Sequence, residues 1–393
     1  MERTCGHTSR FASRHPGKSR GVSGDLNEQD LHTLTQSVFR HPPIRLLLLA
    51  VVTFLLGSLV PPLLIGQMKP LPTDLQASYR SNPAETVMLA PAAMAEGAVP
   101  EENRARAECR EGSFPDVPYS CLVVETTAHR ELTVATAAAP ARDEVDVTAT
   151  TQLHAEGTLL AEVSDTLRLD RRSTYPVSDP VSELSVTIPA LERETTTGPS
   201  VREGLQYFFP FPPERRSYPR YDTVAQRPLL LDYIGEVERA GLESFEFHHT
   251  FTALPLTAPD DNRPRQEEAE NSVFTTLEAW GLGSVWYSVD RTVWVEPKSG
   301  TLVDTQERIH IYFAADHAEA EERAFAPAPE FSILHTAATW DGATVERQHE
   351  RAAGVASRLR VLQVSAVLLK TVALAAVIWA VVLLLRERRG RAS

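Results

Sequence analysis

The chain of 393 residues has only three cysteines, and none forms the close Cys-x-x-Cys pair of a zinc site. A phosphate-binding P-loop and a His-Glu-x-x-His pair are also missing. Without them the commonest nucleotide-binding and zinc-protease chemistries have no residues to run on. The segment Gly281-Leu282-Gly283-Ser284-Val285-Trp286 begins like a dinucleotide fingerprint but places Trp where the third Gly is required. No enzyme activity and no cofactor or metal is therefore expected. Basic charge is in deficit as well, with 39 Lys and Arg against 52 Asp and Glu and a net charge of −13. That excludes nucleic acid as a partner, because a phosphate backbone needs a basic footprint.

What the sequence does have is apolar mass, 42% of its residues, enough to bury a sizeable core. Two long apolar runs stand out. Leu46 to Met68 carries no charge over 23 residues and as a helix reaches roughly 34 Å, against a hydrocarbon core of about 30 Å. It is too long for the apolar region of a cleaved signal peptide, and no convincing cleavage site follows. Pro61-Pro62 is expected to kink or end its outer third. Val361 to Leu385 is the second run, with Lys370 as its only charge and Arg386, Arg388, Arg389 and Arg391 directly after it. Lys370 therefore falls within or near the membrane, where it either snorkels toward the outer headgroups or supplies a functional charge to a pore.

These runs divide the chain into a tail at 1–43, a span at 44–68, a domain at 69–360 ending in a stalk helix, a span at 361–385 and a basic tail at 386–393. The middle holds 27 basic and 47 acidic residues, a balance of −20, while the ends sum to +7. The positive-inside tendency then puts both termini in the cytoplasm and the large domain outside, in a two-pass protein of the cell membrane. Cys5 lies in the tail, and Cys109 and Cys121 lie in the domain. The spacing of the latter pair suits a disulfide clasping a local loop, which an oxidising location would preserve. Two independent buried thiols are the alternative.

Within the domain the apolar pattern alternates with period two, the signature of strands. Val145, Val147, Ala149 and Leu153 share a parity, as do Leu159, Ala161, Val163, Leu167 and Leu169. Leu184, Val186 and Ile188 follow, then Phe245, Phe247 and Phe251, then Val285, Tyr287 and Val289, then Val293 and Val295, then Ile309, Ile311 and Phe313. The fold class expected is a mainly β ectodomain, an antiparallel sheet or barrel-like structure with some helix, flanked by one transmembrane helix at each end. Pro297-Lys298-Ser299-Gly300 reads as a hairpin turn. Lys69 to Pro118 reads as a connecting arm and a loop, and Thr344 onward as one helix running into the second span.

Three stretches carry a family resemblance. They are Gly204-Leu205-Gln206-Tyr207-Phe208-Phe209-Pro210-Phe211 followed by Tyr218, Tyr221 and Asp222, then Arg168-Leu169-Asp170-Arg171-Arg172 to Val177, and Val293-Trp294-Val295-Glu296-Pro297 to Gly300. Together with the two-anchor layout they resemble the actinobacterial PorA-like porin family over roughly Ile44 to Leu385. The resemblance implies an envelope membrane protein and, by the family's label, a porin. The layout of a β-rich domain strung between two terminal helices is also similar to CD36-type scavenger and lipid-transfer receptors.

Few residues suggest a site. His248-His249 resembles a metal pair, but neighbours on a strand face opposite ways and cannot share an ion. The acidic stretch Asp260-Asp261-Asn262 with Glu267, Glu268 and Glu270 lacks the spacing of a calcium loop and reads as solvated. Aromatic residues gather in the second half, and Phe208, Phe209, Phe211, Trp280, Trp286 and Trp294 are candidates to line an apolar ligand cavity. The leading expectation is an external domain that binds or transfers an apolar envelope molecule such as a lipid. An oligomeric porin-like channel, a homo-oligomer with Lys370 lining its path, is the second, and a structural or docking protein of the envelope is the third.

Overall fold

The computed structural model describes residues 41–256 and 273–392. The expected N-terminal tail with Cys5, apart from its last three residues, and the acidic stretch from Asp260 to Glu270 lie outside that set. The chain divides into two compact units, residues 1–59 with 366–393, and residues 60–365.

The first unit is built from parts of two helices, α1 (Pro42–Met68) and the 51-residue α5 (Gly342–Ala392). Both are long and apolar enough to cross a membrane. Ala50, Ala373 and Ala376 bury against one another, and a Cβ at Gly57 would lie 2.9 Å from Leu369 Cβ and 3.1 Å from the Ala366 carbonyl oxygen. Small residues at these positions let the two backbones approach, which is how helices associate where lipid removes the hydrophobic drive. Pro61 and Pro62 do not end α1, which continues to Met68. Each ring removes one backbone donor, and the helical path survives that loss.

The second unit is an antiparallel sheet of thirteen strands among the described residues. The first seven are β1 (Gln76–Arg80), β2 (Ala84–Leu89), β3 (Val123–Ala138), β4 (Glu144–Ala155), β5 (Thr158–Asp170), β6 (Ser182–Ile188) and β7 (Arg193–Ser200). The other six are β8 (Tyr218–Asp222), β9 (Arg227–Arg239), β10 (Leu242–Pro255), β11 (Ser284–Val295), β12 (Leu302–Ala314) and β13 (Ser332–Thr339). Their order is β7-β6-β5-β4-β3-β2-β13-β12-β11-β10-β9-β8. The long β3 also takes β1, which pairs with Glu131 to Ala135 while β2 pairs with Val123 to Ala128. Short helices α2 (Pro91–Glu96), α3 (Val273–Glu278) and α4 (His317–Arg323) also belong to the unit.

Alternation decides which side chains face inward. Val145, Val147 and Ala149 of β4 and Leu167 and Leu169 of β5 are buried together with Tyr79 and Val134. Leu205, Phe209, Tyr218, Leu231, Phe245, Phe247, Val293 and Val295 form a second cluster. The largest gathers Leu89, Leu122, Val285, Tyr287, Val289 and Phe313 around the disulfide between Cys109 and Cys121. The two short runs Val285 to Val289 and Val293 to Val295 belong to the single strand β11. The expected arm between Lys69 and Pro118 instead contains β1, β2 and α2. Their strand signal is short and lies among Pro, Ala and Glu, and pairing to β3 supplies what local propensity does not.

The expected hairpin turn joins β11 to β12, with Gly300 at φ 69° and its N–H donating to the Glu296 carbonyl over 2.9 Å. A Cβ there would meet the Pro210 carbonyl oxygen at 2.5 Å and the Phe209 oxygen at 3.1 Å. Gly300→Ala is thus expected to destabilise the domain by about 2–3 kcal/mol, through left-handed strain and displacement of the 209–210 backbone. A thermal melt of the detergent-solubilised protein followed by circular dichroism checks this, and an unchanged midpoint would count against the packing described.

Candidate functional site

Between the apolar clusters, the inward face of the sheet carries charge. Arg291 occupies the same parity of β11 as Val289 and Val293, and Glu307 the same parity of β12 as Ile309. Both are buried. Arg291 Nε donates to Glu307 Oε1 over 2.6 Å, and its Nη2 donates to the same carboxylate and, over 2.9 Å, to Asp222 of β8. Arg130 of β3 donates to the other Glu307 oxygen. Asp222 also accepts from the Tyr287 hydroxyl (3.3 Å) and from the backbone of Val224 and Ala225 (3.0 and 2.9 Å). Four strands, β3, β8, β11 and β12, are thereby tied through one chain of charge-assisted bonds.

Burial works to raise the Glu307 carboxyl, but the Arg130, Arg291 and Arg220 guanidiniums outweigh it and hold the group well below the usual carboxylate range. Burial alone would lower Arg291, and Glu307 and Asp222 hold its guanidinium more firmly charged instead. His249, on β10 beside Arg291 with Nε2 3.3 Å from Nη1, is pushed down to about 3 by burial and by that cation. It is therefore neutral across the physiological range. His310 of β12, enclosed by the Arg323 and Ala324 carbonyls and the Ser332 hydroxyl, is pushed down to about 4 by burial.

A second polar knot forms around Asp165 of β5, whose position the apolar series Val163, Leu167, Leu169 skips. Arg202 Nη1 (2.6 Å), Gln206 Nε2 (2.5 Å) and the Tyr207 hydroxyl (2.6 Å) all donate to its carboxylate. Burial still raises Asp165 above its ordinary value, against the pull of Arg202. Gln206 and Tyr207 belong to the glycine-aromatic segment beginning at Gly204, and Arg202 lies two residues before it. Leu205 of that segment bonds the backbone of β8, its N–H to Pro219 (2.7 Å) and its carbonyl from Tyr221 (2.9 Å). This segment links β5 on one side to β8 on the other, so strands near opposite ends of the sheet order line one interior.

That interior holds a cavity of about 260 Å³. Its apolar wall includes Leu132, Leu153, Val163, Leu302, Ile309 and Leu334, and Arg80, Arg130, Arg220 and Arg291 supply its charged face with Glu307. Tyr79 and Trp340, stacked at 5.0 Å between ring centroids, close another side.

The six aromatic candidates are not brought together here. Phe209 packs with Tyr218 and Phe247 (5.6 and 5.1 Å), and Phe208 packs against the β4–β5 cluster. Trp280 stacks on Phe114 at 4.9 Å, Trp286 lies in a small cluster with Tyr312, and Trp294 donates to Glu246 (2.9 Å) under the Arg239 guanidinium. Phe211 is half-buried. None of the six lines the cavity. His248 bonds the Thr292 and Thr250 hydroxyls (3.0 and 3.1 Å) while His249 points inward to Arg291, so the pair is split across the two faces of β10. Among the described residues no group of three His, Cys, Asp or Glu could hold a metal ion. Lys370 is exposed on α5, with its Cγ 3.5 Å from where a Cβ at Gly57 would stand. The sequence signal for Asp165, Arg291 and Glu307 was their charge at an inward parity within an otherwise apolar series.

The described residues combine an antiparallel β domain, a disulfide and two terminal helices long and apolar enough to cross a membrane. The chain belongs to the family described as Porin PorA, whose model matches residues 43–382. A relative named Porin PorA from Corynebacterium resistens is 27% identical over 333 residues, covering 71% of this chain and 78% of its own. Another of that name from Corynebacterium amycolatum is 25% identical over 342 residues, covering 78% of this chain and 88% of its own.

The buried neutral histidines fix the sign of acid sensitivity. Their folded-state values lie below the unfolded value of about 6.5, so the unfolded chain binds more protons in that window and stability falls as pH drops through it. Asp165, raised in the fold, contributes with the opposite sign. From pH 7.5 to pH 5 the protein is expected to lose about 1–2 kcal/mol more than His310→Gln does. Denaturant titrations at the two pH values measure the difference, and parallel losses in both proteins would refute the assignment.

Proposed function

We propose that this protein is a subunit of an oligomeric, porin-like channel of the cell envelope. The match of the Porin PorA family over residues 43–382 carries the reading, and supports the channel expectation in preference to the lipid-handling one. The distribution of apolar surface supports a helical path. Of the large apolar side chains exposed among the described residues, all but Val181, Val201, Leu230 and Ile234 lie on α1 or α5. The sheet thus lacks the outward apolar band a lipid-embedded barrel needs.

Two apolar helices cannot enclose water by themselves, so conduction requires several copies arranged around a common axis. Lys370 is the one charge within the apolar part of α5. In the assembly it faces the water path, where a ring of fixed ammonium groups favours anions. The basic C-terminal tail and the disulfide support a topology with both termini in the cytoplasm and the β domain outside.

Single-channel recordings of the purified protein in planar bilayers test the reading. The wild type is expected to conduct with preference for chloride over potassium, and Lys370→Glu to move the reversal potential toward cation selectivity. Absence of conductance, or selectivity unchanged in that variant, would overturn it.

A further inference from the structure

The charges around the interior cavity do not cancel, and the geometry identifies the one left over. Four arginines face it, Arg80, Arg130, Arg220 and Arg291. Arg291 is taken by Glu307 and Asp222, Arg130 by Glu307, and Arg80 by Glu131 at 3.5 Å. Those are four cations served by three carboxylates. Arg220 forms no ion pair or side-chain hydrogen bond among the described residues, although it lies on the short strand β8 between the buried Tyr218 and Asp222. Burial and the neighbouring Arg291 cation push it down to about 10, yet it stays charged at neutral pH. A half-buried guanidinium of this kind is stabilised by any acceptor that enters.

The same cavity has an aliphatic lining, with Leu132, Leu153, Val163 and Ile309 contributed by four different strands. A free inorganic anion would leave that surface unused, whereas an apolar body attached to the anion would cover it. The cavity, about 260 Å³, is near the lower size of small-molecule sites at about 300 Å³, which selects a slender body. We propose that the interior of the β domain binds a small amphiphile, its oxyanion head, carboxylate or phosphate, paired to the Arg220 guanidinium and its apolar body laid along the aliphatic wall. The planar fork of the guanidinium suits either head by a bidentate pair. This site belongs to the β domain alone and does not rest on the pore reading.

The test uses the full-length protein in phosphatidylcholine nanodiscs, with thermal unfolding of the β domain as the readout. Decanoate, decyl phosphate, decanol and inorganic phosphate are the probes. Decanoate and decyl phosphate are expected to raise the melting temperature by several degrees in the wild type and in Arg216→Gln, an exposed-arginine control. The shift should be at least halved in Arg220→Gln and partly kept in Arg220→Lys. Ala161→Leu, which narrows the cavity without touching charge, should also reduce it, and keeps the test open if Arg220→Gln does not fold. Inorganic phosphate acting as strongly as decyl phosphate would overturn the amphiphile in favour of a free anion. An equal shift from decanol, no shift from either anionic amphiphile, or a shift undiminished in both Arg220→Gln and Ala161→Leu would overturn the site.

Discussion

The constraint on which the β domain depends is the pairing of charge inside it. Arg291 and Glu307 sit on adjacent strands with side chains 9% and 6% exposed. A carboxylate or guanidinium so removed from water is tolerable only when its bonds are filled, and leaving one partner alone costs about 3–5 kcal/mol. Glu307 needs Arg130 from β3 as well as Arg291, and Arg291 needs Asp222 from β8. Sheet hydrogen bonds alone order neighbours along the path from β7 to β8. They do not require β3 and β8 to share an interior, and the charged chain does. The Asp165 knot adds a second tie of the same kind, from β5 to the segment that bonds β8.

The three stretches on which the family resemblance rests are devices of folding. In the glycine-aromatic stretch, Gln206 and Tyr207 hold Asp165, with Tyr207 in the left-handed region at φ 62°. Such a conformation costs of order 1–3 kcal/mol and persists because its hydroxyl and ring are fixed on both sides. Around Asp170, the carboxylate caps the turn after β5 by accepting from the Arg172 and Ser173 amides (3.0 and 2.7 Å). The stretch from Val293 to Gly300 ends in the turn whose glycine packs against Phe209 and Pro210, so the first and third stretches meet. None of the three lies on the apolar helices.

Much of the architecture is legible from residue order. Alternation exposes β4, β5, β6, β10, β11 and β12, and charge-free length exposes α1. The interior chemistry is harder to read because it consists of interruptions. A charged residue at an inward position resembles the end of a strand, which is why Arg291 divides β11 into two apparent pieces and Asp165 leaves a gap between Val163 and Leu167. Only the partner strands show that these interruptions are filled, and partners at separations such as 69 residues for Arg291 and Asp222 are not visible locally. The aromatic residues mislead for a related reason. Their abundance marks core, and the cavity wall combines aliphatic side chains with Tyr79, Tyr207, Tyr221 and Trp340, none of them among the six candidates.

A double-mutant cycle between Arg291 and Glu307 tests the central dependence most directly, with unfolding free energies of the full-length protein taken from urea titrations in a non-ionic detergent. Arg291→Met and Glu307→Gln are each predicted to lose about 3–5 kcal/mol, and the double variant to lose at least about 1.5 kcal/mol less than their sum. Losses that add to within about 0.5 kcal/mol would contradict the account.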